Sequence, residues 1–250
     1  MLAVLQRPPV TAALIVAAAG LVILPWTAAW VARPDYIRWL VGIDRDIYFS
    51  ATQTWLGDGQ WYLARQIEGP YGILYGDVLY PPVLLYLLVP FRALPSSLWW
   101  VVPLGTTLLA LWRIRPPTWA LPGLLLCLAW PMSVEQLIKG NPVIWVLAAE
   151  AVAIACGWPT TLVILKPSLL PFALIGIHRR VWWMLLAAIA LASVPLWQLT
   201  LEYPAVVLDS RGGGLLYSVR DVPLLLMPVL AGLAAGRLRL PSALRVPRGA

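Results

Sequence analysis

The chain has 250 residues, of which 61% are apolar and 12% charged, about half the charged share of a soluble domain. A soluble sphere needs more polar surface than that, so the composition predicts a chain dissolved in lipid. Its 15 Trp agree, because indole rings favour the membrane interface. Disorder, collagen and a small disulfide scaffold are excluded, and two Cys with a single His make no structural zinc site. The net charge of +7 fits basic cytoplasmic loops, and no nucleic-acid partner is expected.

In chain order, the first uncharged run covers residues 10–32, between Arg7 and Arg33. It is longer than a secretory h-region of about 7–15 residues, which predicts an uncleaved spanning helix. Residues 33–79 form an outer loop holding Asp35, Asp44, Asp46, Asp58, Glu68 and Asp77. Helical spacing of Tyr48, Phe49, Thr52 and Trp55, followed by Trp61, Tyr62 and Ile67, predicts one or two amphipathic helices on the membrane surface. Core spans follow in 80–201, from the uncharged runs 78–91, 93–112, 116–134, 140–149, 151–165, 167–177 and 181–201. Several fall short of the roughly 20 residues of a full crossing. Pro81, Pro82, Pro95, Pro103, Pro167 and Pro171 break others, as in re-entrant pieces lining a polar cavity. A second outer loop, 202–221, carries Glu202, Asp209 and Asp221; a last span (222–236) and a basic tail (237–250) end the chain.

The expected fold is an all-α polytopic membrane protein with about seven to nine membrane segments in a single integral membrane domain. Basic clusters at Arg113/Arg115, Arg179/Arg180 and Arg237/Arg239/Arg245/Arg248 belong in the cytoplasm by the positive-inside rule, with both termini, and both acidic loops outside. Two full crossings between 78 and 112 would carry Arg113 to the wrong face, so run 78–91 is expected to dip in and return. Cys127 and Cys156 sit in apolar runs and read as small core hydrophobes. Gly212-Gly213-Gly214 reads as a hinge rather than an anion-holding nest.

Ionisable groups near a membrane need a reason, because desolvating them is costly. Asp44 and Asp46 follow the first span; a carboxylate there takes a proton from an alcohol substrate, pairs with Arg45, or caps the following helix. Lys166 stands between two apolar runs: it either snorkels or presents a point charge to a phosphate where Pro167 breaks the helix. Glu135 and Lys139, four apart, make a helical ion pair. Glu150 is expected to make a polar contact inside the bundle. Tyr80 precedes Pro81-Pro82, which fix how the chain re-enters. Arg211 and Arg220 are phosphate clamps or solvated charges. No nucleotide loop and no Ser-His-Asp pattern occurs.

Read together, Asp44-Arg45-Asp46-Ile47-Tyr48-Phe49-Ser50-Ala51, then Leu74-Tyr75, Tyr80-Pro81-Pro82, Pro90, Gly140-Asn141 and Leu165-Lys166-Pro167 ahead of a basic pair, resemble glycosyltransferase family 87. These are the polyprenyl-phosphate-mannose-dependent transferases of the GT-C superfamily, and the resemblance covers residues 10–201. It implies a GT-C-like helical bundle in the plasma (inner) membrane with its active site on the outer face. A sugar, typically mannose or arabinose, would pass from a polyprenyl phosphate to a glycolipid or glycan acceptor. Asp44 maps onto the family's base, with Asp46 as second candidate, and Lys166 onto the lysine facing the carrier phosphate. Tyr48, Tyr80, Asn141, Arg211 and Arg220 are the further substrate contacts. No cofactor is expected; Asp46 and Asp77 leave room for a divalent cation but supply no ligand set. Where the family often carries Gly-Gln-x-Asn, this chain has Lys139-Gly140-Asn141-Pro142, and it lacks several C-terminal spans. Those departures keep open a non-catalytic membrane partner or one half of a split enzyme. A transporter or flippase would call for inverted repeats, and none is seen.

Overall fold

The computed structural model describes residues 33–210 and 218–238, with isolated positions between 14 and 29. The expected first span (10–32) lies almost wholly outside the described residues, as do Arg211, the triplet 212–214 and the tail beyond 238. Among the described residues all regular structure is helical, and the β contact is one isolated bridge between Tyr71 and Ser210.

Proline and hydropathy set the element boundaries. Pro34 opens α1 (Pro34–Leu40) with Asp35 in its first turn, where the missing N–H costs nothing and the helix dipole favours an anion. α2 (Ile43–Asp58) buries Ile43, Tyr48 and Thr52. α3 is the short helix Ala64–Ile67. Pro82 starts a 3-10 turn, Pro82–Leu84, that runs into α4 (Leu85–Arg92). α5 is Leu98–Ile114. α6 (Leu121–Ala129) and α7 (Pro131–Lys139) meet at a 61° bend, because Pro131 lacks an N–H and forces Trp130 into an extended conformation. α8 is Val143–Cys156. α9 (Leu170–Ala173) follows two 3-10 turns, Thr161–Leu165 and Pro167–Leu169. α10 (Arg180–Ser193) and α11 (Trp197–Leu208) form one helical stretch of 29 residues, Arg180–Leu208, and α12 is Val222–Ala234.

Among the described residues, Arg180–Leu208 is the helix long and apolar enough to cross a membrane, and its sides are almost bare. At 1.5 Å per residue it reaches about 43 Å, beyond the roughly 30 Å of a hydrocarbon core. α5 and α8, with 17 and 14 residues, fall short of that test. α5 and α8 are thus shorter than the apolar stretches 93–112 and 140–165 in which they arise. Run 140–165 yields the helix Val143–Cys156 and then 3-10 structure, because Gly157 and Pro159 end it. Glu202 does not open a loop: α11 continues to Leu208. Cys127 is buried, but Cys156 is exposed at the last turn of α8.

The bundle has two ends. At one, the α5 N-terminus meets the α7–α8 junction, as Trp99 and Trp100 donate their indole N–H groups to the Gly140 and Leu137 carbonyls at 2.7 Å each. At the other, Arg237 after α12 donates to the Arg113 carbonyl at the end of α5, and Arg179 donates to the Gly157 carbonyl after α8. α5 packs along α8, and α8 against α12. All three run away from the first end towards the arginines. α10–α11 runs back, and the Tyr71 hydroxyl receives it by donating to the Val206 carbonyl at 2.6 Å.

Two segments each begin and finish at the same end of the bundle. Tyr80 and Arg92, which flank α4, both stay at the first end, where Arg92 donates to the Gln53 side chain of α2. Between Gly157 and Arg179 the chain makes a hairpin. Thr160 N–H donates to the Ile175 carbonyl at 3.1 Å, and Lys166 sits at the tip. An aromatic cluster of Phe49, Phe91, Trp99 and Trp145, with ring centroids 4.6–5.8 Å apart, underlies the first end. Such pairs add about 0.5–1.5 kcal/mol each beyond burial.

Candidate active site

Five segments far apart in sequence converge at the first end. Gly42 lies in the left-handed region (φ 75°) and starts α2, and its N–H donates to the Ile138 carbonyl at 2.9 Å. That bond ties α2 to the end of α7 and sets Asp44, in α2's first turn, beside Asn141. Gly140 ends α7 with φ 65°. A Cβ there would stand 2.7 Å from Trp100, so the tight reversal that delivers Asn141 requires glycine. Asn141 in turn caps α8 by accepting the Val143 N–H at 3.0 Å.

The side chains form one polar chain. The Lys166 ammonium donates to the Tyr80 hydroxyl at 3.0 Å, Tyr80 donates to Asn141 Oδ1 at 2.8 Å, and Asn141 Nδ2 donates to Asp44 Oδ2 at 2.6 Å. On its other side Lys166 meets Asp221 Oδ2 at 2.7 Å, with both side chains 1% exposed. Gln136 Nε2 and Ser218 Oγ, each at 2.9 Å, donate to the same carboxylate. An ammonium has three N–H donors; among the described residues Tyr80 and Asp221 take two, and Lys166 also lines the adjoining cavity. That cavity, of about 330 Å³, is lined by Asp44, Tyr48, Asp77, Tyr80, Lys139, Asn141 and Lys166 among others. Tyr48 packs edge-on against Tyr80 with centroids 5.4 Å apart.

The carboxylates around it differ in one respect. Asp77 is held by Arg65 at 2.5 Å and by the Leu74 N–H at 2.6 Å. Glu135 pairs with Lys139 at 2.5 Å, Asp46 with Arg45 at 2.6 Å, and Asp221 with Lys166. Asp44 has no cation within ion-pair reach among the described residues; its partner is the Asn141 amide. Burial holds the Asp44 carboxyl above its ordinary value, and the Asn141 hydrogen bond with the Lys139 and Lys166 charges pulls partly the other way. A carboxylate short of solvation and of counter-charge is a proton acceptor in waiting.

The structure thus brings Asp44, Tyr48, Tyr80, Asn141 and Lys166 to one cavity. Asp46 faces the neighbouring one and is neutralised by Arg45, so Arg45 is not the partner of Asp44. Lys166 does not snorkel but is buried. Arg220 is exposed and does not line the cavity, and Arg211 lies outside the described residues. Glu150, expected to make a polar contact, is fully buried with neither oxygen hydrogen-bonded among the described residues. Asp221, Gln136 and Ser218 were missed by sequence reasoning. A lone buried Lys requires a carboxylate partner, and Asp221, ahead of Val222-Pro223 at a helix start, was the signal available. Among the described residues no group of three or more His, Cys, Asp or Glu side chains could hold a metal ion.

No protein-family model matches the chain, and no curated protein or solved structure is similar to it. The chemistry of the site therefore rests on its own geometry.

Proposed function

We propose that the chain is a membrane glycosyltransferase that moves a sugar, mannose by the resemblance described above, from a polyprenyl phosphate to a glycolipid or glycan acceptor. The observation that carries this reading is the pairing, in one cavity, of a half-buried carboxylate that has no counter-ion among the described residues with two lysines. Asp44 takes the proton of the acceptor hydroxyl as its oxygen bonds to the sugar's anomeric carbon. The bond from that carbon to the phosphate oxygen breaks, and its electron pair leaves with the phosphate. Lys166 and Lys139 stabilise the added negative charge, which a low-dielectric site makes more effective. A phosphate leaves as an anion and needs no acid. The lipid carrier enters between helices from the bilayer, so no nucleotide site is needed.

In this reading the first end of the bundle faces outward and the arginine end faces the cytoplasm. Five passes (α5, α6–α7, α8, α10–α11 and α12) cross the plasma (inner) membrane, together with the span expected from the sequence of residues 10–32. Segments 80–97 and 157–179 are re-entrant, which makes a GT-C-like bundle of eight membrane segments. Short helices such as α8 suit a bilayer thinned around the cavity.

The test is transfer from labelled polyprenyl-phosphate sugars by the purified chain in liposomes. Asp44→Asn is expected to lower turnover by about 10²–10⁴-fold, the share of a general base, with the fold intact. Unchanged turnover in that variant would remove the base assignment. A second reading, a non-catalytic partner subunit, is favoured by the Lys166–Asp221 pair, since a fully buried ion pair also serves as a strut. Absence of turnover with every carrier sugar would favour it.

A further inference from the structure

Against the Lys166 cavity lies a second one of about 420 Å³, on the other flank of α2. Ile47 and Tyr75 line both and partition them. The helical period explains the division: Asp44 and Tyr48 face the first cavity, and Asp46, Ser50 and Thr54, four residues apart, face the second.

The two differ in chemistry. The first has two lysines. Among the described residues the second is lined by no cationic side chain; its polar groups are Asp46, Ser50, Thr54 and Gln60, and its aromatic residues are Trp61, Tyr62 and Tyr75. Trp61 is 2% exposed, and its indole N–H has no hydrogen-bond partner among the described residues. Buried indole N–H groups usually find one, and an orphan of this kind calls for an explanation. Asp46 meets Arg45 through Oδ1, which leaves Oδ2 as an acceptor.

We propose that this second cavity binds a neutral polyhydroxyl ligand, a pyranose ring, and is the acceptor's seat. The binding claim stands on the cavity alone; the role as acceptor seat rests on the glycosyltransferase reading. A sugar presents alternating donors and acceptors, which the Asp46 carboxylate, the Ser50 and Thr54 hydroxyls, the Gln60 amide and the Trp61 N–H answer in both senses. Its C–H faces lie against aromatic rings. An anion would meet the Asp46 carboxylate, whose Arg45 partner does not line the cavity. A lipid tail would leave the buried N–H and the hydroxyls without partners. The volume falls in the range of small-molecule sites, about 300–1,000 Å³.

The test is saturation-transfer NMR on the full chain in detergent micelles, with methyl α-mannopyranoside and methyl α-glucopyranoside as probes. A glycoside signal is expected in the native chain and should persist in Asp44→Asn and on addition of geranyl phosphate. Trp61→Phe and Ser50→Leu should each weaken binding by about fivefold or more, the value of one lost hydrogen bond. Ser50 is exposed, so its variant reports on the cavity even where Trp61→Phe fails to fold. No signal from either glycoside, undiminished binding in both variants, or displacement by geranyl phosphate would overturn the proposal. Glycoside binding without sugar transfer would remove the transferase reading and leave this site standing; transfer without glycoside binding would remove this site alone.

Discussion

Two ionisable side chains are buried to the same degree in this bundle and are treated in opposite ways. Lys166 is held by Asp221 and Tyr80, and through Tyr80 and Asn141 it is connected to Asp44. Glu150, fully buried in α8, has no hydrogen bond to either oxygen among the described residues. Burial alone therefore does not mark a working group. The partners do, because each hydrogen bond fixes an orientation and each counter-charge lowers the cost of leaving water. The wired group is at the end of the bundle where α2, α8 and α12 all begin. The isolated one lies within the apolar seam of α8.

The comparison can be broken by substitution. Asp221→Ala leaves a buried ammonium without its anion and should destabilise the fold by about 3–5 kcal/mol, read as a drop in thermal midpoint. Replacing both partners, Lys166→Met with Asp221→Leu, should recover most of that loss while abolishing transfer. Recovery of transfer as well would show that the lysine does no chemistry. Gly140→Ala forces a Cβ onto Trp100 at a positive φ and should cost roughly 1–3 kcal/mol. It should lower turnover further than its stability loss accounts for, because Asn141 moves with the backbone. Glu150→Leu should raise stability by about 1 kcal/mol with transfer unchanged; a loss of either would mean that Glu150 has a partner after all.

A pH profile sharpens the same contrast. Asp44 must be ionised to accept a proton, so the rate should rise with pH through an acid limb lying above 3.8. Lys139→Ala and Asn141→Ala each remove an influence that lowers this pKa and should move the limb to higher pH. For stability the sign is opposite to that of a salt-bridged aspartate. Because burial raises the folded pKa above the unfolded one, ionised Asp44 costs stability, and the cost fades as pH falls through the folded pKa. Asp44→Asn should therefore raise the thermal midpoint at neutral pH even as it removes turnover, which separates a lost base from a damaged fold.

Much of the site was legible because charges in an apolar chain are conspicuous. Asp44, Tyr80, Asn141 and Lys166 each interrupt a hydrophobic run next to Gly or Pro, and the structure sets all four around one cavity. Asp221 was legible only by its place ahead of Val222-Pro223. It sits in a stretch with Glu202, Asp209 and Arg220 that reads as a solvated loop, and composition carries no signal for a side chain turned inward. Glu202 itself lies on α11, since the helix outlasts the apolar run by a full turn and more. The hairpin 157–179 was legible only in part: Pro167 and Pro171 mark a break, but not the direction the chain takes after it. Hydropathy counts apolar residues in the runs 151–165 and 167–177 but cannot tell a chain that passes through from one that turns back at Lys166-Pro167.

The Gly42–Ile138 hydrogen bond has a mechanical consequence. Asp44 rides on α2, whereas Asn141 belongs to the α7–α8 junction, and this single backbone link is the rivet between the two bodies. Prising them apart by an ångström would strip the carboxyl of its amide partner while leaving it sheltered from water, and so turn it into a stronger proton acceptor. Force applied by a bulky guest wedged along α2 would thus be converted into basicity at the atom that uses it.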